Sequence, residues 1–320
     1  MLKRYWVLLA LPPILAAGLW APEVGLWVRE QRVVTALLVA TVLFVSGLQI
    51  DPRRLGGQFF NGRALLLVLG TNYCIAPLIA LQLADLTGPA VGDLDSTGYQ
   101  FLEALMLAAA QSSTLATALA MTRIARGSAE LSLMLTLASS FAAVVCTPLV
   151  LKLTLGTVVE LPVSAMMVRL ALVIVLPVVL GWFVARALKR VGKSVPAFVQ
   201  WVPQCIVLFF VYVAFSAAAE HLRNEVSIVV QFLLACLGLH AGLLVWSAVI
   251  AKVIGLKPSE QSAVLFGASQ KSVPNGIYIW REFFAANPYG AVPIVLHQIS
   301  QLVIGFVIAP WIGRNERDAN

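Results

Sequence analysis

The sequence predicts an all-α integral membrane protein with ten membrane-spanning helices. Of its 320 residues, 60% are hydrophobic and 12% are charged, and the mean hydropathy is +0.90; soluble domains carry about 25% charged residues. Apolar segments of about 20 residues, the length that crosses a hydrocarbon core of about 30 Å, recur along the whole chain. Segments such as ALLLVLGTNYCIAPLIALQL are apolar at odd and even positions alike, which argues against a transmembrane barrel.

The ten predicted spans divide evenly between residues 1–160 and residues 161–320. Because each half holds an odd number of spans, the second half must enter the membrane upside down relative to the first. The sequence therefore predicts one transmembrane domain made of two inverted five-helix repeats. The approximate span boundaries are 5–22, 32–50, 63–84, 100–122, 128–152, 164–188, 201–218, 227–251, 260–281 and 290–312.

The first span follows Lys3 and Arg4, and an alternative interpretation of this segment is a cleaved signal peptide. The stretch LAAGLWA supplies the small residues that such a cleavage site needs. Removal of the segment would leave nine helices and would take away the partner of the sixth.

Lysines and arginines predict the orientation, because cytoplasmic loops carry the excess of these residues. Both termini are predicted to be cytoplasmic, in an inner or plasma membrane, and the acidic loop of residues 85–98 is predicted to lie outside. This topology accounts for the net charge of +7 without a nucleic-acid partner. The basic residues assigned to the cytoplasmic side are Lys3, Arg4, Arg53, Arg54, Arg63, Arg123, Arg126, Arg186, Lys189, Arg190, Lys193, Lys252, Lys257, Arg314 and Arg317, and those assigned outside are Arg29, Arg32, Lys152, Arg169, Arg223 and Arg281.

The cysteines stand singly in separate predicted helices, with no CxxC motif, so we expect buried inert thiols and no metal cluster. They are Cys74, Cys146, Cys205 and Cys236. The chain has no GxSxG or HExxH motif and no paired intramembrane carboxylates, so neither enzyme activity nor a cofactor is predicted.

Two polar stretches fall where a span should be most apolar. The fourth span contains QSSTLAT (111–117) and the ninth contains GASQKSVPNG (267–276), about half a chain apart. Polar side chains at the bilayer centre must face protein or a water-filled cavity. Proline and glycine weaken the ninth helix around Lys271, so we expect it to be unwound, with free carbonyls and half-helix ends suited to ions.

Lys271 is the strongest candidate among these polar residues. It lies about eleven residues from either end of its span, so at about 1.5 Å per residue its side chain cannot reach the headgroups. An intramembrane lysine indicates a functional site. A structural role is an equal alternative for Ser112, Ser113 and Thr117, because small polar residues also let membrane helices pack closely.

His297, in the tenth span, is a second titratable candidate. A lone histidine in a helix usually satisfies local hydrogen bonds, but Gln298 and Gln301 stand close by in sequence. A position on the wall of a cavity is therefore the alternative. His240, in the eighth span, is a weaker candidate of the same kind.

At these positions the chain resembles the bile acid:sodium symporter family over essentially its whole length. The resemblance is carried by SSTLATALAMTRIARGSAELSLMLTLASS in the fourth and fifth spans and by the TR-x-A-x-G turn at 122–127. The stretches NYCIAPLIA, SQKS and HQISQLVIG are most similar to the family's sodium/bile acid cotransporter 7-like branch.

The resemblance implies a panel domain and a core domain, with broken fourth and ninth helices that cross, and transport of an organic anion together with sodium. It implies that Ser132 and Thr136 bind one sodium ion, with Ser112, Ser113 and Thr114 at the broken fourth helix. Asn72 and Gln270 fall at the second sodium site. Hydroxyl, amide and carbonyl oxygens are the ligands that hard cations prefer.

One departure from the family puts two-sodium coupling in question. Phe266 stands where sodium-coupled members have glutamate, and Lys271 stands where they have asparagine. A sodium ion next to a charged lysine would be strongly repelled at low dielectric. Three hypotheses follow: Lys271 replaces a sodium ion as a built-in cation, it exchanges a proton and couples transport to protons, or it pairs elsewhere and leaves one sodium site working.

These observations together predict a secondary active transporter that works by alternating access in the lipid bilayer. Its substrate is predicted to be a small organic anion, since the lysine and the half-helix N-termini favour negative charge, and its coupling ion to be sodium or a proton. The alternatives are a passive channel or arsenite-type efflux permease, and a membrane regulator that transports nothing. The residues predicted to contact substrate are Lys271, Ser269, Asn275, Thr117, His297 and Gln301.

Overall fold

The computed structural model describes residues 2–50, 61–91, 96–156 and 161–318, and it confirms the all-α prediction. Within these ranges the only β-type pairing is an isolated antiparallel bridge between Ser113 and Lys271. The helices are α1 (Leu2–Trp20), α2 (Glu23–Glu30), α3 (Arg32–Leu48), α4 (Gly62–Thr87), α5 (Thr97–Ala109), α6 (Leu115–Ile124), α7 (Ala129–Leu155), α8 (Val163–Arg190), α9 (Val202–Asn224), α10 (Val226–Val253), α11 (Pro258–Ser269), α12 (Val273–Phe283) and α13 (Val292–Asp318), with a short 3-10 helix at Ala197–Trp201.

Six of the described helices are long and apolar enough to cross a membrane, namely α4, α7, α8, α9, α10 and α13. The pair α1 and α2, bent by 82°, would make a seventh span if it counts as one. The helix α3 has 17 residues, and α5, α6, α11 and α12 are each too short to span alone. The chain is therefore a multi-pass membrane protein, whereas the count of ten spans stays a prediction that needs α5 joined to α6 and α11 joined to α12.

Some sequence predictions concern residues outside the described ranges. Arg53, Arg54, Asp93 and Asp95, which entered the orientation argument, belong to this group. The prediction of buried thiols holds for Cys236 but is wrong for Cys74 and Cys205, whose side chains are exposed. Cysteine is compatible with an apolar surface as well as with a core, and in a membrane protein that surface faces lipid.

Close helix contacts depend on glycine. A Cβ built on Gly47 of α3 would lie 2.2 Å from the carbonyl oxygen of Val178 in α8, and one on Gly181 of α8 would lie 2.1 Å from the carbonyl of Phe44. The two glycines thus let α3 and α8 approach backbone to backbone, as small residues do in membrane helix pairs. The helix α1 packs along α9. There the Tyr212 hydroxyl donates to the Ala21 carbonyl at 2.6 Å.

A π-helical turn at Thr71–Ile75 interrupts α4 just before Pro77. Proline has no N–H to donate, and in a π turn each carbonyl accepts from the residue five positions later. The Ala76 N–H accordingly donates to the Thr71 carbonyl, and the position five after Asn72 is Pro77. The Asn72 carbonyl is therefore left without a donor from its own helix, and it faces the interior at 0% exposure.

Candidate transport site at the helix crossing

Two interrupted helices meet in the interior. The chain leaves α5 at Ala109 and enters α6 at Leu115, and it leaves α11 at Ser269 and enters α12 at Val273. The two breaks, residues 110–114 and 270–272, form the crossing. They are joined by the Ser113 to Lys271 bridge and by the Ser272 N–H, which donates to the Ser112 carbonyl at 2.9 Å.

The Lys271 ammonium is buried at this crossing, with the residue 4% exposed. It donates to the side-chain oxygen of Asn72 at 2.9 Å, to the Asn72 carbonyl at 3.4 Å and to the Gln111 carbonyl at 3.3 Å. The Asn72 carbonyl has no donor in its own helix because of the π turn. The Gln111 carbonyl has none because α5 ends before it. Among the described residues no carboxylate lies within ion-pair distance of Lys271, so neutral oxygens alone surround the charge.

The backbone of Lys271 is held from α13. The Gln301 side-chain oxygen accepts from the Lys271 N–H at 2.7 Å, and the Gln301 side-chain nitrogen donates to the Lys271 carbonyl at 3.2 Å and also to Gln298. The Gln301 side chain therefore pairs with both the N–H and the carbonyl of Lys271, which lies outside any helix. These two hydrogen bonds fix the position of the Lys271 backbone and so of the first atoms of its side chain.

Ser139 of α7, which was not among the predicted site residues, joins the crossing to α4. Its hydroxyl oxygen accepts from the Asn72 side-chain nitrogen at 3.0 Å and from the Ser113 N–H at 3.1 Å. Its carbonyl accepts from the Tyr73 hydroxyl at 2.6 Å. The available signal was its spacing seven residues after Ser132, which puts both serines on one face of α7.

The residues predicted to bind sodium lie in the two helix breaks, in α4 and in α7, and the structure gives several of them other partners. Ser132 accepts from the Thr122 hydroxyl at 3.1 Å, and the Thr136 hydroxyl donates to the Ser132 carbonyl at 2.9 Å. The Asn72 side-chain oxygen, predicted for the second sodium site, is occupied by Lys271. Gln270, its predicted co-ligand, is 0% exposed and neither of its side-chain polar atoms has a partner among the described residues.

The residues predicted to contact substrate divide into two groups. Thr117 lines the cavity described below. Lys271, Ser269, Asn275, His297 and Gln301 are buried around the crossing and do not line that cavity. The Asn275 side chain donates to the Ser112 hydroxyl at 2.8 Å, and thus strengthens the crossing itself.

Two histidine side chains lie within hydrogen-bond distance of the carbonyl of Ser269, the last residue of α11. His240 Nδ1 lies 3.1 Å from that oxygen and His297 Nε2 lies 3.3 Å from it, with the two rings edge to face at 5.4 Å. A carbonyl only accepts, so each of these nitrogens carries a hydrogen. The remaining nitrogens, His240 Nε2 and His297 Nδ1, have no described hydrogen-bond partner.

A cavity of about 370 Å³ leads to the crossing from one end of the molecule. At its inner end stand Ser113, Thr114, Ser272 and Val273, the residues that begin α6 and α12. The mouth is formed by the beginnings of α1 and α9 and the ends of α3 and α6. The lining residues there are Trp6 near the start of α1, Trp201 just before α9, Gln49 just after α3 and Arg123 near the end of α6.

Residues 5–314 match the SBF-like CPA transporter family. The chain belongs to this family. The match covers the crossing, both interrupted helices and the cavity, and it confirms the resemblance to bile acid:sodium symporters. Family membership makes the chain a transporter rather than an enzyme.

Relatives of this SBF-like chain carry related names. An uncharacterized protein of Pseudomonas aeruginosa is 27% identical over 89% of this chain and 86% of its own length. Sodium/bile acid cotransporter 7 of Mus musculus is 22% identical over 97% of this chain and 93% of its own length. A probable sodium/metabolite cotransporter of Oryza sativa subsp. japonica, BASS1, is 22% identical over 92% of this chain and 69% of its own length.

At the end opposite the cavity mouth, three arginines of this SBF-like transporter join α12 and the residues after it to α2 and α8; we call them the arginine latch: Arg29, Arg169 and Arg281. Arg169 of α8 pairs with Glu282. Arg29 of α2 donates to the Ala285 carbonyl at 3.1 Å and lies 5.5 Å from the Trp280 ring centroid.

The third arginine of the latch makes the reciprocal contact. Arg281 donates to the Glu30 carbonyl at 3.0 Å, so α2 and α12 each send a guanidinium to the other. All three arginines had been assigned to the outer side from charge distribution, but nothing in the sequence indicated that they converge.

Asn287, in the turn between α12 and α13, joins that turn to α5. Its side-chain nitrogen donates to the Gln100 carbonyl at 2.8 Å and to the buried Glu103 carboxylate at 2.9 Å. Its carbonyl accepts from the Trp280 indole at 3.0 Å. The turn between α12 and α13 is thereby fixed to the same helices that form the crossing.

Proposed function

We propose that this chain is a secondary active transporter that moves an organic anion by alternating access, and that the Lys271 ammonium takes the place of one coupling sodium ion. The observation that carries the proposal is the position of Lys271 Nζ, 2.9 Å from the Asn72 oxygen that the family resemblance assigns to a sodium site. The names of the relatives, which pair sodium with bile acid or with a metabolite, support an ion-coupled transporter of organic solutes.

The contacts of Lys271 favour two of the three hypotheses for its role. Three neutral oxygens around a nitrogen at 2.9–3.4 Å resemble the oxygen ligands of an alkali cation. A lysine that paired elsewhere would leave Asn72 free. The coupling ion is then either a proton carried by Lys271, or sodium at the other predicted site, which the resemblance assigns to Ser132 and Thr136.

The inner end of the cavity supports an anionic substrate. The helices α6 and α12 both begin there, and neither Thr114 nor Ser272 caps its helix through its side chain. Free backbone N–H groups and the positive end of the helix dipole favour a negative charge at such a position. The Ser113 and Thr117 hydroxyls, both without partners among the described residues, add two further donors.

Alternating access is supported by the contrast between the two ends of the molecule. The cavity mouth is at the end predicted to be cytoplasmic, and the arginine latch is at the end predicted to be outside. An inward-open state with a closed outer gate has this arrangement. The proposal includes the ten spans in two inverted repeats (1–160 and 161–320), and an inner or plasma membrane location with both termini in the cytoplasm.

The test is solid-supported-membrane electrophysiology on proteoliposomes that contain the purified protein. Small organic anions are applied with and without a sodium gradient and over a range of pH, for the wild type, Lys271→Ala and Lys252→Ala. Lys252, exposed at the end of α10, serves as the matched control. We expect anion currents that need sodium or protons, and a changed ion dependence in Lys271→Ala alone.

Other outcomes would replace the proposal. If Lys271→Ala keeps the wild-type pH and sodium dependence, both roles proposed for the lysine are wrong. Flux of an uncharged solute that ignores every gradient would indicate a channel or efflux permease. Neither current nor thermal stabilisation by any anion would indicate a membrane regulator.

A further inference from the structure

We infer that the preferred substrate is an elongated dianion with an apolar middle, which places one acidic group at the crossing and the other on Arg123 at the cavity mouth. The inference rests on the proposed function, because it names the chemical class of the anion transported through the same cavity.

The inner end of the cavity accepts one acidic group. Ser113 lines the cavity and is 1% exposed, and its hydroxyl has no described partner. It stands next to the first residues of α6 and α12, whose N–H groups point away from their own helices. A buried hydroxyl and two helix N-termini around one space provide hydrogen-bond donors without a competing carboxylate.

Arg123 offers a second anion site on the same helix. Its side chain is exposed and lines the cavity, and it takes part in no ion pair among the described residues. It follows Leu115, the first residue of α6, by eight positions, which at 1.5 Å per residue is about 12 Å along the helix. A guanidinium binds a carboxylate through two parallel hydrogen bonds.

The wall between these two positions includes several large apolar side chains. Leu43 of α3, Val207 of α9, and Leu302 and Phe306 of α13 line it. Methylene or ring carbon placed against these side chains would be stabilised by burial, while Thr117, Ser140 and Gln204 add polar groups to the same lining. The volume of about 370 Å³ is at the small end for organic ligands, so the cavity fits one slender dianion rather than a large solute.

The charges on the protein match this class of ligand. Arg123 supplies a positive charge on the cavity lining, Lys271 is buried at the crossing outside that lining, and among the described residues no carboxylate lines the cavity. A monoanion would leave the Arg123 end unused. A short dianion would bring both acidic groups to one end, where they repel each other.

The test uses straight-chain α,ω-dicarboxylates from succinate to dodecanedioate, each compared with its own monomethyl ester. The ester keeps the length and removes one charge. Apparent affinities are measured from electrophysiological currents on proteoliposomes for the wild type, Arg123→Gln, Arg123→Lys and Arg190→Gln. Arg190 is exposed in the last turn of α8 and lies outside the cavity, so it controls for the loss of a surface charge.

We expect the wild type to prefer a long diacid over its ester by about tenfold or more, the effect of one charged hydrogen-bonded pair. In Arg123→Gln the diacid should fall to the affinity of its ester while the ester is unchanged. Arg123→Lys should retain part of the preference, and Arg190→Gln all of it. Equal melting temperatures of the variants establish that they fold alike.

The inference is wrong if Arg123→Gln leaves the ratio of diacid to ester unchanged, or if succinate is the best substrate. In both cases anion currents remain and the proposed function stands. Absence of current with every diacid and every ester would overturn the proposed function and the inference together.

Discussion

Arg169 and Glu282 form an ion pair that joins α8 to α12 at the end of the molecule opposite the cavity mouth. The Arg169 side chain is 49% exposed and that of Glu282 is 10% exposed, so water screens the pair from one side only. Arg169 also lies 5.7 Å from the Phe283 ring centroid, which restricts the guanidinium further.

We expect the pair to be coupled by about 1 kcal/mol or less, the usual range for partly exposed pairs. A double-mutant cycle with Arg169→Gln and Glu282→Gln, followed by thermal unfolding in detergent, measures this coupling. The double variant should be little less stable than either single variant. Fully additive losses would mean that the two residues act independently.

Replacement of Ser139 by alanine should destabilise the protein by about 1–3 kcal/mol, because it leaves the Ser113 N–H without its acceptor and the buried Asn72 side-chain nitrogen with only the Gly267 carbonyl at 3.5 Å. The matched control is Ser140→Ala. The Ser140 hydroxyl only donates back to the Thr136 carbonyl of its own helix at 2.9 Å. Equal losses from the two substitutions, measured by thermal or denaturant unfolding, would contradict the central role of Ser139.

Gly181→Ala should destabilise the contact between α3 and α8 by about 1–3 kcal/mol, the usual cost of overpacking. The new methyl group would lie 2.1 Å from the Phe44 carbonyl, and a backbone atom cannot move aside without separating the helices. Gly70→Ala in α4 is the control, since a Cβ at that position meets nothing within 4 Å.

The control substitution should be neutral or stabilising by up to about 1 kcal/mol, because alanine favours the helix. Both variants are compared by their melting temperatures. A Gly181→Ala protein as stable as the wild type would show that α3 and α8 can separate at no cost.

The double variant Phe266→Glu/Lys271→Asn should gain sodium-dependent thermal stabilisation. It removes the ammonium from Asn72 and supplies a carboxylate one helical turn before Gln270, whose side chain has no described partner. Its control is Phe266→Gln/Lys271→Asn, which has the same shape without the negative charge. If sodium and potassium salts shift the melting temperature of the double variant equally, the second site cannot be rebuilt in this way.

Most of the fold could be predicted from the sequence because the bilayer restricts the choice of structure. Apolar length leads to long membrane-spanning helices, whereas the orientation drawn from the Lys and Arg distribution stays a prediction. The ends of single helices were less predictable: the second span of residues 32–50 corresponds to the shorter α3, Arg32–Leu48. The separate helix α2 was not foreseen, because its eight residues are too few to cross a membrane.

The candidate site was predictable in its residue types but not in its pairings. Lys271 was singled out because a buried charge is costly in a membrane. Its partner Asn72 was assigned to sodium instead, since the two residues are 199 positions apart and only the folded chain brings them together. The one local signal was Pro77, whose missing N–H explains the free Asn72 carbonyl.

The hydrogen bonds of Lys271 at the crossing determine how the membrane voltage acts on the protein. Lys271 is bonded through its backbone and its side chain to α4, α13 and the other break, so its charge travels with the crossing in any rearrangement of these helices. An elementary charge that traverses the whole field contributes about 2.3 kcal/mol per 100 mV. One negative charge of a bound substrate cancels that contribution, whereas the empty crossing retains it. In the proposed transport cycle, the membrane potential would therefore act mainly on the return of the unloaded protein.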